Sequence, residues 1–413
     1  MTLLENKHIL LAVTGSIAVY KAVDLASKLT QAGAKVDVIM TEAAQHFVTP
    51  LSFQAVTGRP VYTDMWQTGG DALPTHIAHV ALGESADLLV VAPATANTLA
   101  KLAHGLADDL LSVTALAARC PLVVAPAMDG GMYQHPATTA NLDTLRARGV
   151  HIIEPEVGRF ASGLVGKGRL PETVTLIGHI RQVLGRAQAL AGRHVVVTAG
   201  GTREAIDPVR FITNRSSGKQ GYALAQAAVD AGASVTLITT SDLPVPVGVT
   251  PVFVASAQEM MESVLHHAAQ ASALIMAAAV ADFRPQTTSA HKIKKKDDTD
   301  EAPTILLSRT PDILMQLKAQ RQQSGFPQVV VGFAAESEHL IAHARSKLER
   351  KGLDLLVAND ITAPDAGFEV DTNRVIILDA HGGQLPLALS SKTRVAETII
   401  SRVADLLSST ANQ

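Results

Sequence analysis

The stretch AGAKVDVIM at residues 32–40 returns as AGASVTLIT at residues 231–239. In both copies a small glycine turn leads from a helix-like segment into a short aliphatic run. An aliphatic run also precedes each helix, HILLAV at 8–13 and HVVVTAGG at 194–201. Short buried strands that alternate with helices are typical of βαβ units in a parallel sheet. The repeat therefore predicts that a second α/β domain begins near residue 190.

Further aliphatic runs predict the other strands of each sheet. They lie at 35–40, 87–93, 121–126 and 151–155 in the first half, and at 234–240, 273–278, 328–335, 354–359 and 374–380 in the second. Residues 156–171 (EVGRFASGLVGKGRLP) are too polar and glycine-rich for a strand, which predicts a mobile functional loop. The predicted fold is two doubly wound, Rossmann-like α/β domains at 1–190 and 191–413. Ligands of such sheets bind beyond the carboxyl ends of the strands.

The composition argues against several classes of function. The 413 residues are 47% hydrophobic and 18% charged, which is typical of a soluble globular protein of two to three domains. A net charge of −3 and 3% aromatic residues argue against nucleic-acid partners. The single cysteine, Cys120, excludes a disulfide framework. The sequence has no signal-peptide pattern and no apolar run of about 18 residues, so a cytoplasmic protein without a membrane partner is expected.

Two motifs of the first half directly follow predicted strands. TGSIAVYK (14–21) places Gly15 and Ser16 at a helix N-terminus, where backbone N–H groups can cradle a phosphate. A glycine–serine turn with a purely steric role explains this motif equally well. The sequence lacks GxGxxG and GxxxxGK[ST], which argues against an ordinary dinucleotide or P-loop site. APATANTLAKLAHG (92–105) puts polar groups at another strand end, although a capped helix would need similar residues.

Together with HVALGESADL (79–88) and APAMDGGMYQHP (125–136), these motifs resemble the homo-oligomeric flavin-containing cysteine decarboxylases over residues 7–180. The phosphopantothenoylcysteine decarboxylases are the most similar members. The resemblance implies a homo-oligomer with a bound FMN that oxidises the cysteine thiol of the substrate, so that the neighbouring carboxylate can leave. It also implies FMN contacts at Gly15, Ser16, Thr41, Pro93, Thr95, Asn97 and Gly105.

The same resemblance assigns the catalytic histidine to His79, eight residues before Asp87. An imidazole can accept a proton near neutral pH. His76 lies three residues earlier, and the two histidines could bind a metal from one face of a helix. No accompanying carboxylate pattern supports a metal, so His76 is expected to be an exposed bystander.

The chain departs from the family pattern at two substrate-binding positions. Asp129, beside Met128, stands where the family has asparagine, and an ionised carboxylate cannot donate a hydrogen bond as a carboxamide can. The Asp129 side chain must then be protonated, accept from a substrate N–H, or leave the substrate carboxylate to other groups. Ser162 stands where many relatives have a cysteine thought to protonate the intermediate. Because a hydroxyl is a far weaker acid than a thiol, solvent or another group is expected to supply that proton.

The most specific run of the chain is VTAGGTREAIDPVRFITNRSSGKQGYALA (197–225). Ser216, Ser217 and Gly218 stand at the start of a helix and can form a second anion cradle. Arg210 offers a planar guanidinium to a phosphate or carboxylate. A loop without function would not need so many glycine and polar residues, so the run predicts a binding site.

Four further motifs accompany this run. They are AAAVADFRP (277–285), HKIKKKDD (291–298), GFAAES (332–337) and VANDI (357–361). As a set they resemble phosphopantothenate–cysteine ligases over residues 191–405. The resemblance implies that CTP, with Mg²⁺, activates the phosphopantothenate carboxylate as an acyl-cytidylate, which cysteine then converts to an amide.

The ligase resemblance also implies roles for individual residues. Lys292 would neutralise the triphosphate, Asn214 would polarise the acyl carbonyl and Arg210 would bind the substrate phosphate. Phe333 and Lys295 would contact substrates. Asp282 would bind Mg²⁺, although an acid after a strand is often only a helix cap.

The product of the predicted ligase half is the substrate of the predicted decarboxylase half. The sequence therefore predicts one bifunctional enzyme of coenzyme A biosynthesis. The alternative is a ligase alone, with the first half a flavin-binding scaffold or regulatory module. Asp129 and Ser162 favour that alternative, whereas His79 and the complete strand-end motifs speak against it. A two-domain Rossmann reductase is disfavoured because the dinucleotide fingerprint is missing.

Overall fold

The computed structural model describes residues 3–66, 78–160, 163–294, 304–336, 340–360 and 370–410. The chain forms two compact units, Met1–Leu184 and Gly185–Gln413. Across the described ranges, no helix is both long and apolar enough to cross a membrane.

The first unit is built around a parallel sheet. The strands of this unit are β1 His8–Val13, β2 Lys35–Met40, β3 Val61–Tyr62, β4 Leu88–Ala94, β5 Leu122–Pro126, β6 His151–Ile152, β7 Glu156–Arg159 and β8 Val165–Arg169. Its helices are α1 Val19–Gln31, α2 Glu42–Gln45, α3 Pro50–Thr57, α4 Ala78–Ser85, α5 Ala96–His104, α6 Leu110–Ala117, α7 Gly130–Tyr133, α8 Pro136–Ala147 and α9 Thr173–Gly185. The sheet has the order β3-β2-β1-β4-β5-β6, and every pair is parallel. Because helices cover both faces, every residue of β4 is buried.

The second unit has a larger, mixed sheet. The strands of this unit are β9 His194–Ala199, β10 Arg203–Ala205, β11 Phe211–Thr213, β12 Ser234–Thr239, β13 Val249–Phe253, β14 Ala273–Met276, β15 Phe283–Pro285, β16 Leu307–Arg309, β17 Val329–Glu336, β18 Leu355–Asp360, β19 Thr372–Asp379 and β20 Gln384–Ser391. Its helices are α10 Lys219–Asp230, α11 Ala257–Ala268, α12 Ile313–Ser324, α13 Leu340–Lys351 and α14 Lys392–Thr410. The order of the sheet is β13-β12-β9-β14-β17-β18-β19-β20.

The last two strands of this sheet add an antiparallel edge to the predicted α/β fold. The pairs from β13 to β18 are parallel, but β18–β19 and β19–β20 are antiparallel. Only four residues join β19 to β20, and a parallel connection would need a crossover of about a dozen. β20 was not predicted, because Pro386 and its mostly exposed side chains hide an edge strand.

The repeated Ala-Gly-Ala segment, at residues 32–34 and 231–233, has one structural role in both units. Gly33 (φ 88°) and Gly232 (φ 94°) follow α1 and α10, and each donates its N–H at 2.9 Å to the carbonyl three residues before it. Ala34 and Ala233 donate to the carbonyl five residues before them, at 3.1 and 3.0 Å. This pair of bonds is a Schellman motif, which ends the helix and turns the chain into the next strand.

Two strands, β7 and β8, lie within residues 156–171, so the prediction that this stretch is too polar and glycine-rich for a strand was wrong. β7 pairs antiparallel with β8. The glycines permit this pairing: a Cβ on Gly158 would lie 2.5 Å from Arg169 Cδ, and one on Gly166 would lie 3.1 Å from the Phe160 ring. Their abundance reflects close packing within the hairpin rather than a lack of structure.

Helices divide between the two faces of the second sheet. One core joins the sheet to α10 and α14 through residues such as Leu224 and Ile399. The other core joins it to α11, α12 and α13 through residues such as Val264, Leu317 and Leu348. The starts of α10 and α14 therefore belong to one face of the sheet, and α13 belongs to the other.

A buried carboxylate joins β1 and β2 in the first unit. Asp37 Oδ2 lies 2.5 Å from His8 Nε2, and Arg59 donates to both Asp37 oxygens at 2.6 and 3.0 Å. Burial alone would raise the pKa of Asp37, but the hydrogen bonds from His8 and Arg59 hold that pKa below its usual value. The hydrogen bond to Asp37 raises the pKa of His8 above 6.5, against the opposing effect of burial.

We expect Asp37→Asn to destabilise this region by about 2 kcal/mol, most strongly between about pH 4 and 6.5. The lowered pKa of Asp37 contributes stability that is lost as pH falls through its folded value. The raised pKa of His8 contributes stability that is lost as pH rises through its folded value. Native-state hydrogen exchange of β1 and β2 amides in the whole chain measures the effect. A difference between variant and wild type that stays constant from pH 3 to 8 would contradict the assignment.

Candidate functional site

Three strand ends of the first sheet are tied together by hydroxyl groups. Thr14 Oγ1 donates to Pro93 O at 2.7 Å and accepts from Thr95 N at 3.1 Å. Ser16 Oγ donates to Ala127 O at 3.4 Å. The carboxyl ends of β1, β4 and β5 thus share one edge, where Ser16, Pro93 and Thr95 meet as predicted for a ligand site.

Gly15 and Thr41 also belong to this edge. A Cβ on Gly15 would lie 2.6 Å from Ala43 Cβ, so the turn after β1 can approach α2 only without a side chain. Thr41 caps α2, because its Oγ1 accepts from Ala44 N at 3.3 Å. The close approach gives Gly15 a steric role, and it also brings the Thr41 hydroxyl beside the turn that carries Ser16.

The predicted flavin contacts that follow β4 lie at opposite ends of α5. Thr95 caps the helix by accepting from Thr98 N at 3.3 Å, and Asn97 lies in the first turn. Gly105 caps the other end with φ 71°, about 14 Å along the axis. The structure therefore explains Gly105 as a helix C-cap and does not bring it to the edge that holds the other predicted flavin contacts.

His79 lies in the first turn of α4 and is half-buried. A helix that precedes a parallel strand runs antiparallel to it, so the start of α4 lies at the carboxyl edge of the sheet. Asp87, which follows His79 by eight residues, lies at the opposite edge and accepts a hydrogen bond from His8 N at 2.8 Å. His79 thus reaches the predicted side of the sheet. His76 lies outside the described residues.

Asp129 caps the short helix α7. Its Oδ1 accepts from Gly131 N at 2.9 Å, a bond that an asparagine oxygen could make equally well. Met128 N donates to Gly168 O at 3.0 Å, which fastens the β7–β8 hairpin beside this turn. Asp129 and Met128 therefore stand at the carboxyl end of β5 as predicted. Ser162 lies outside the described residues.

A cleft of about 1040 Å³ opens at the carboxyl ends of the second sheet. This volume is at the upper end of the range for small-molecule sites. Among the described residues, seven cationic side chains line it against two carboxylates: Arg215, Lys219, Arg309, Lys347, Arg350, Lys351 and Lys392 against Asp282 and Asp312. Such a charge balance favours a polyanionic ligand.

Six predicted ligase residues line this cleft. They are Asn214, Ser216, Ser217, Gly218, Asp282 and Phe333. The Asn214 amide donates to Val280 O at 3.0 Å. This bond links the NRSSGK loop (214–219) to the AAAVADFRP segment (277–285). Gly218 precedes α10 with φ 79° and supplies no side-chain cap to the N–H groups of the first turn. Those N–H groups point along the helix axis into the cleft, as an anion cradle requires.

Arg210 and Lys292 do not line the cleft. Arg210 donates through Nε and Nη2 to Asp207 Oδ2, at 3.0 and 2.6 Å, and through Nη2 to Ile293 O at 2.5 Å. Asp207 Oδ2 also accepts from Ile293 N at 3.1 Å. The pair therefore clamps the backbone next to the exposed Lys292. Phosphate binding by Arg210 stays a prediction, and Lys295 lies outside the described residues.

The clamp fixes the backbone next to Lys292, the residue to which the ligase resemblance gives the triphosphate. The hydrogen bond from Arg210, supported by backbone N–H groups, holds the pKa of the buried Asp207 far below its usual range. We expect Asp207→Asn to lower the rate of amide formation roughly 10- to 100-fold by freeing this loop. Pyrophosphate release measures the rate, with the exposed Asp242→Asn as control. Equal rates for Asp207→Asn and wild type would contradict the clamp.

Sequence reasoning missed most of the cations in the cleft. Lys347 Nζ donates to Phe333 O at 2.9 Å, and Lys351 forms a salt bridge with Asp312. The i, i+4 spacing of Lys347 and Lys351 after GFAAES was a usable signal, because it places both on one helix face. Lys392 gave no such signal, since it begins a helix far along the chain from every quoted motif.

In the part of the chain that is described, no group of three or more His, Cys, Asp or Glu side chains could hold a metal ion. Asp282 is exposed in the cleft, and its carbonyl accepts from Thr310 N at 3.0 Å. A single carboxylate suits Mg²⁺ that arrives with nucleotide phosphates better than a permanent all-protein site.

Comparisons with known proteins match both units. The Flavoprotein family model matches residues 1–185, and that of the DNA/pantothenate metabolism flavoprotein C-terminal domain matches residues 190–407. The coenzyme A biosynthesis bifunctional proteins CoaBC of Bacillus subtilis (strain 168) and Mycobacterium tuberculosis (strain ATCC 25618 / H37Rv) are each 47% identical to this chain. The alignments cover 100% and 97% of both chains, respectively. A crystal structure of a CoaBC C-terminal domain is 38% identical and covers 54% of this chain and 100% of its own, with a TM-score of 0.45.

The fold and the two sites define a two-part pantothenate-metabolism flavoprotein. The chain belongs to the family of bifunctional coenzyme A biosynthesis proteins, with a flavoprotein decarboxylase half and a ligase half. Because the relatives match along the whole chain, the bifunctional prediction is supported over a ligase alone.

Proposed function

We propose that the second unit joins cysteine to 4′-phosphopantothenate with CTP and Mg²⁺, and that the first unit decarboxylates the product to 4′-phosphopantetheine with FMN. The observation that carries the ligase half is the cleft of about 1040 Å³ with seven cations and two carboxylates among its described residues. Two anionic substrates, a triphosphate and a phosphate monoester, need such a surplus of positive charge.

The residues of the cleft suit activation of a carboxylate. Lys347 and Lys351, on one face of α13, would hold the triphosphate. The exposed Asp282 would bind Mg²⁺ carried by the nucleotide. The Asn214 amide is fixed by Val280 O, and its second N–H would polarise the carbonyl of the acyl-cytidylate and stabilise the negative charge on its oxygen when the cysteine amine attacks and CMP leaves. Lys292 would neutralise charge on the departing pyrophosphate.

The residues at the carboxyl edge of the first sheet fit FMN. Gly15 leaves room for the turn after β1, while the hydroxyls of Ser16, Thr41 and Thr95 can donate to a phosphate or an isoalloxazine. When bound, FMN would accept two electrons from the substrate thiol and return them after decarboxylation. His79 would take the thiol proton, since it lies at the same edge on the first turn of α4.

Asp129 and Ser162 are the two predicted substrate-binding residues that depart from the family pattern. With Oδ1 of Asp129 engaged by Gly131 N–H, the carboxylate can act as an acceptor for a substrate amide N–H. Binding of the substrate carboxylate then falls to other groups. Solvent would supply the proton that a cysteine at position 162 supplies in many relatives.

The flavin and nucleotide assignments are tested on the purified full chain. Flavin released by heat should be FMN alone. Amide formation should need CTP and Mg²⁺, and ATP should replace CTP poorly. A released FAD, or a rate with ATP equal to that with CTP, would overturn the corresponding assignment.

We also propose that the chain works as a homo-oligomer in the cytoplasm. Large apolar side chains of the first unit are exposed, including Ile17 (62%), Leu51 (69%) and Trp66 (77%). Exposed apolar groups of this size favour association with other copies. Light scattering of the purified protein tests this, and a monomer at micromolar concentration would contradict it.

A further inference from the structure

Five of the seven cations among the described residues of the cleft fall into two groups on opposite faces of the second sheet. Lys347, Arg350 and Lys351 stand on α13. Lys219 and Lys392 begin α10 and α14, which pack against the other face. The strand ends of β17 and β18 separate the two groups. A cleft built in this way can hold two anionic groups at once, one from each face.

Lys392 is an unusual cation because it is buried, with 6% of its surface exposed. Its carbonyl accepts from the Gln220 amide at 3.2 Å, and its N–H donates to Asp371 O at 3.0 Å, so the starts of α10 and α14 are joined. Lys219 Nζ lies 2.7 Å from Asp371 Oδ1. The pKa of Lys392 is lowered mainly by burial of its ammonium group, and further by the positive charge of Lys219. An anion held by both ammonium groups would offset both effects.

A second, independent observation points to a ligand at the same place. Asn359, at the carboxyl end of β18, is 8% exposed and lines the cleft. Its Oδ1 is buried and has no hydrogen-bond partner among the described residues. Leu355 and Val357 of β18 face the α10–α14 core, and alternation along the strand turns Asn359 to that face too. A buried acceptor without a donor is costly, which indicates that a ligand supplies the donor.

We propose that Lys392, together with Lys219, binds the phosphate monoester of phosphopantothenate, and that Asn359 accepts a hydrogen bond from the hydroxyl or amide N–H of the same molecule. This inference rests on the proposed ligase function and deepens it. It assigns the phosphate to Lys392 and Lys219 in place of Arg210, whose guanidinium is engaged by Asp207 and Ile293 O. Phosphopantothenate carries a dianion at one end, with a hydroxyl and an amide N–H a few bonds away. Its carboxylate then reaches the strand ends between the two faces, where the triphosphate held by α13 would approach.

The test is the set of KM values of the full-length protein for its three ligase substrates. Lys392→Met should raise the KM for phosphopantothenate roughly 10- to 100-fold and leave those for CTP and cysteine within about twofold. Lys392→Arg keeps the charge and should restore most of the affinity. Asn359→Ala should raise the same KM about fivefold. Arg394→Met is the matched control, because Arg394 lies in the same turn of α14, is 59% exposed and pairs with Glu397.

The outcomes separate this inference from the function on which it rests. Decarboxylation of added phosphopantothenoylcysteine reports on the other unit and should be unchanged in every variant. An equal rise in the KM for CTP would overturn the inference and assign Lys392 to the nucleotide. A loss of kcat with all three KM values unchanged would also overturn it, since Lys392 would then not bind the phosphate. No amide formed by the wild type with CTP would instead overturn the proposed ligase function.

Discussion

His79→Asn is expected to lower decarboxylation at least about 100-fold while amide formation proceeds at the wild-type rate. The side chain lies in the first turn of α4, at the carboxyl edge that also holds Ser16, Thr41 and Thr95. Asparagine occupies a similar volume but cannot accept the thiol proton. The variant should therefore accumulate phosphopantothenoylcysteine from phosphopantothenate, cysteine and CTP.

A matched control for this experiment is His104→Asn. His104 is an exposed histidine at the far end of α5, away from the carboxyl edge. It should keep both activities. Flavin content, read from the absorbance of the protein, should be the same in both variants, because the imidazole of His79 is assigned to the substrate and not to cofactor binding. Decarboxylation by His79→Asn at the wild-type rate would remove His79 from the mechanism.

Lys292→Gln is expected to lower acyl-cytidylate formation roughly 100- to 1,000-fold, because it removes the charge assigned to the departing pyrophosphate. The backbone beside Lys292 is fixed at Ile293 by Asp207 and Arg210. The ammonium group thus extends from a fixed point rather than from a free loop. Release of pyrophosphate in the absence of cysteine isolates this half-reaction.

Lys294→Gln provides the comparison, since Lys294 is exposed and lies on the other side of the clamped residue Ile293. We expect it to change the rate less than about threefold. Decarboxylation of added phosphopantothenoylcysteine should be unaffected in both variants. If Lys292→Gln released pyrophosphate normally, Lys292 would have no part in nucleotide activation, and the cations of α13 would have to carry that role.

Much of the fold follows from local sequence. The aliphatic runs and the Ala-Gly-Ala turns predict β1, β2, β9 and β12, because the Schellman glycines Gly33 and Gly232 mark the helix ends unambiguously. The β7–β8 hairpin was missed because its glycines allow close contacts with Arg169 and Phe160, and such contacts are tertiary. β20 was missed because an exposed edge strand lacks the apolar alternation of a half-buried strand.

The site was predictable where its residues lie in one continuous motif. Asn214, Ser216, Ser217 and Gly218 come from a single loop, and the structure places all four at the cleft. Lys347, Lys351 and Lys392 come from separate helices, and only the sheet order brings them together. The partners of Arg210 could not be predicted either, since its guanidinium meets Ile293 across 83 residues of sequence. A site whose residues come from distant segments can be identified only from the tertiary structure.

One chain is expected to carry out both reactions in order. The most direct measurement is a single incubation of the purified protein with phosphopantothenate, cysteine, CTP and Mg²⁺, with products identified by mass spectrometry. The expected products are 4′-phosphopantetheine, CMP and pyrophosphate, which would also show that Asp129 and Ser162 are compatible with decarboxylation. Accumulation of phosphopantothenoylcysteine without phosphopantetheine would contradict it, because the flavin half would then be inactive beside a working ligase.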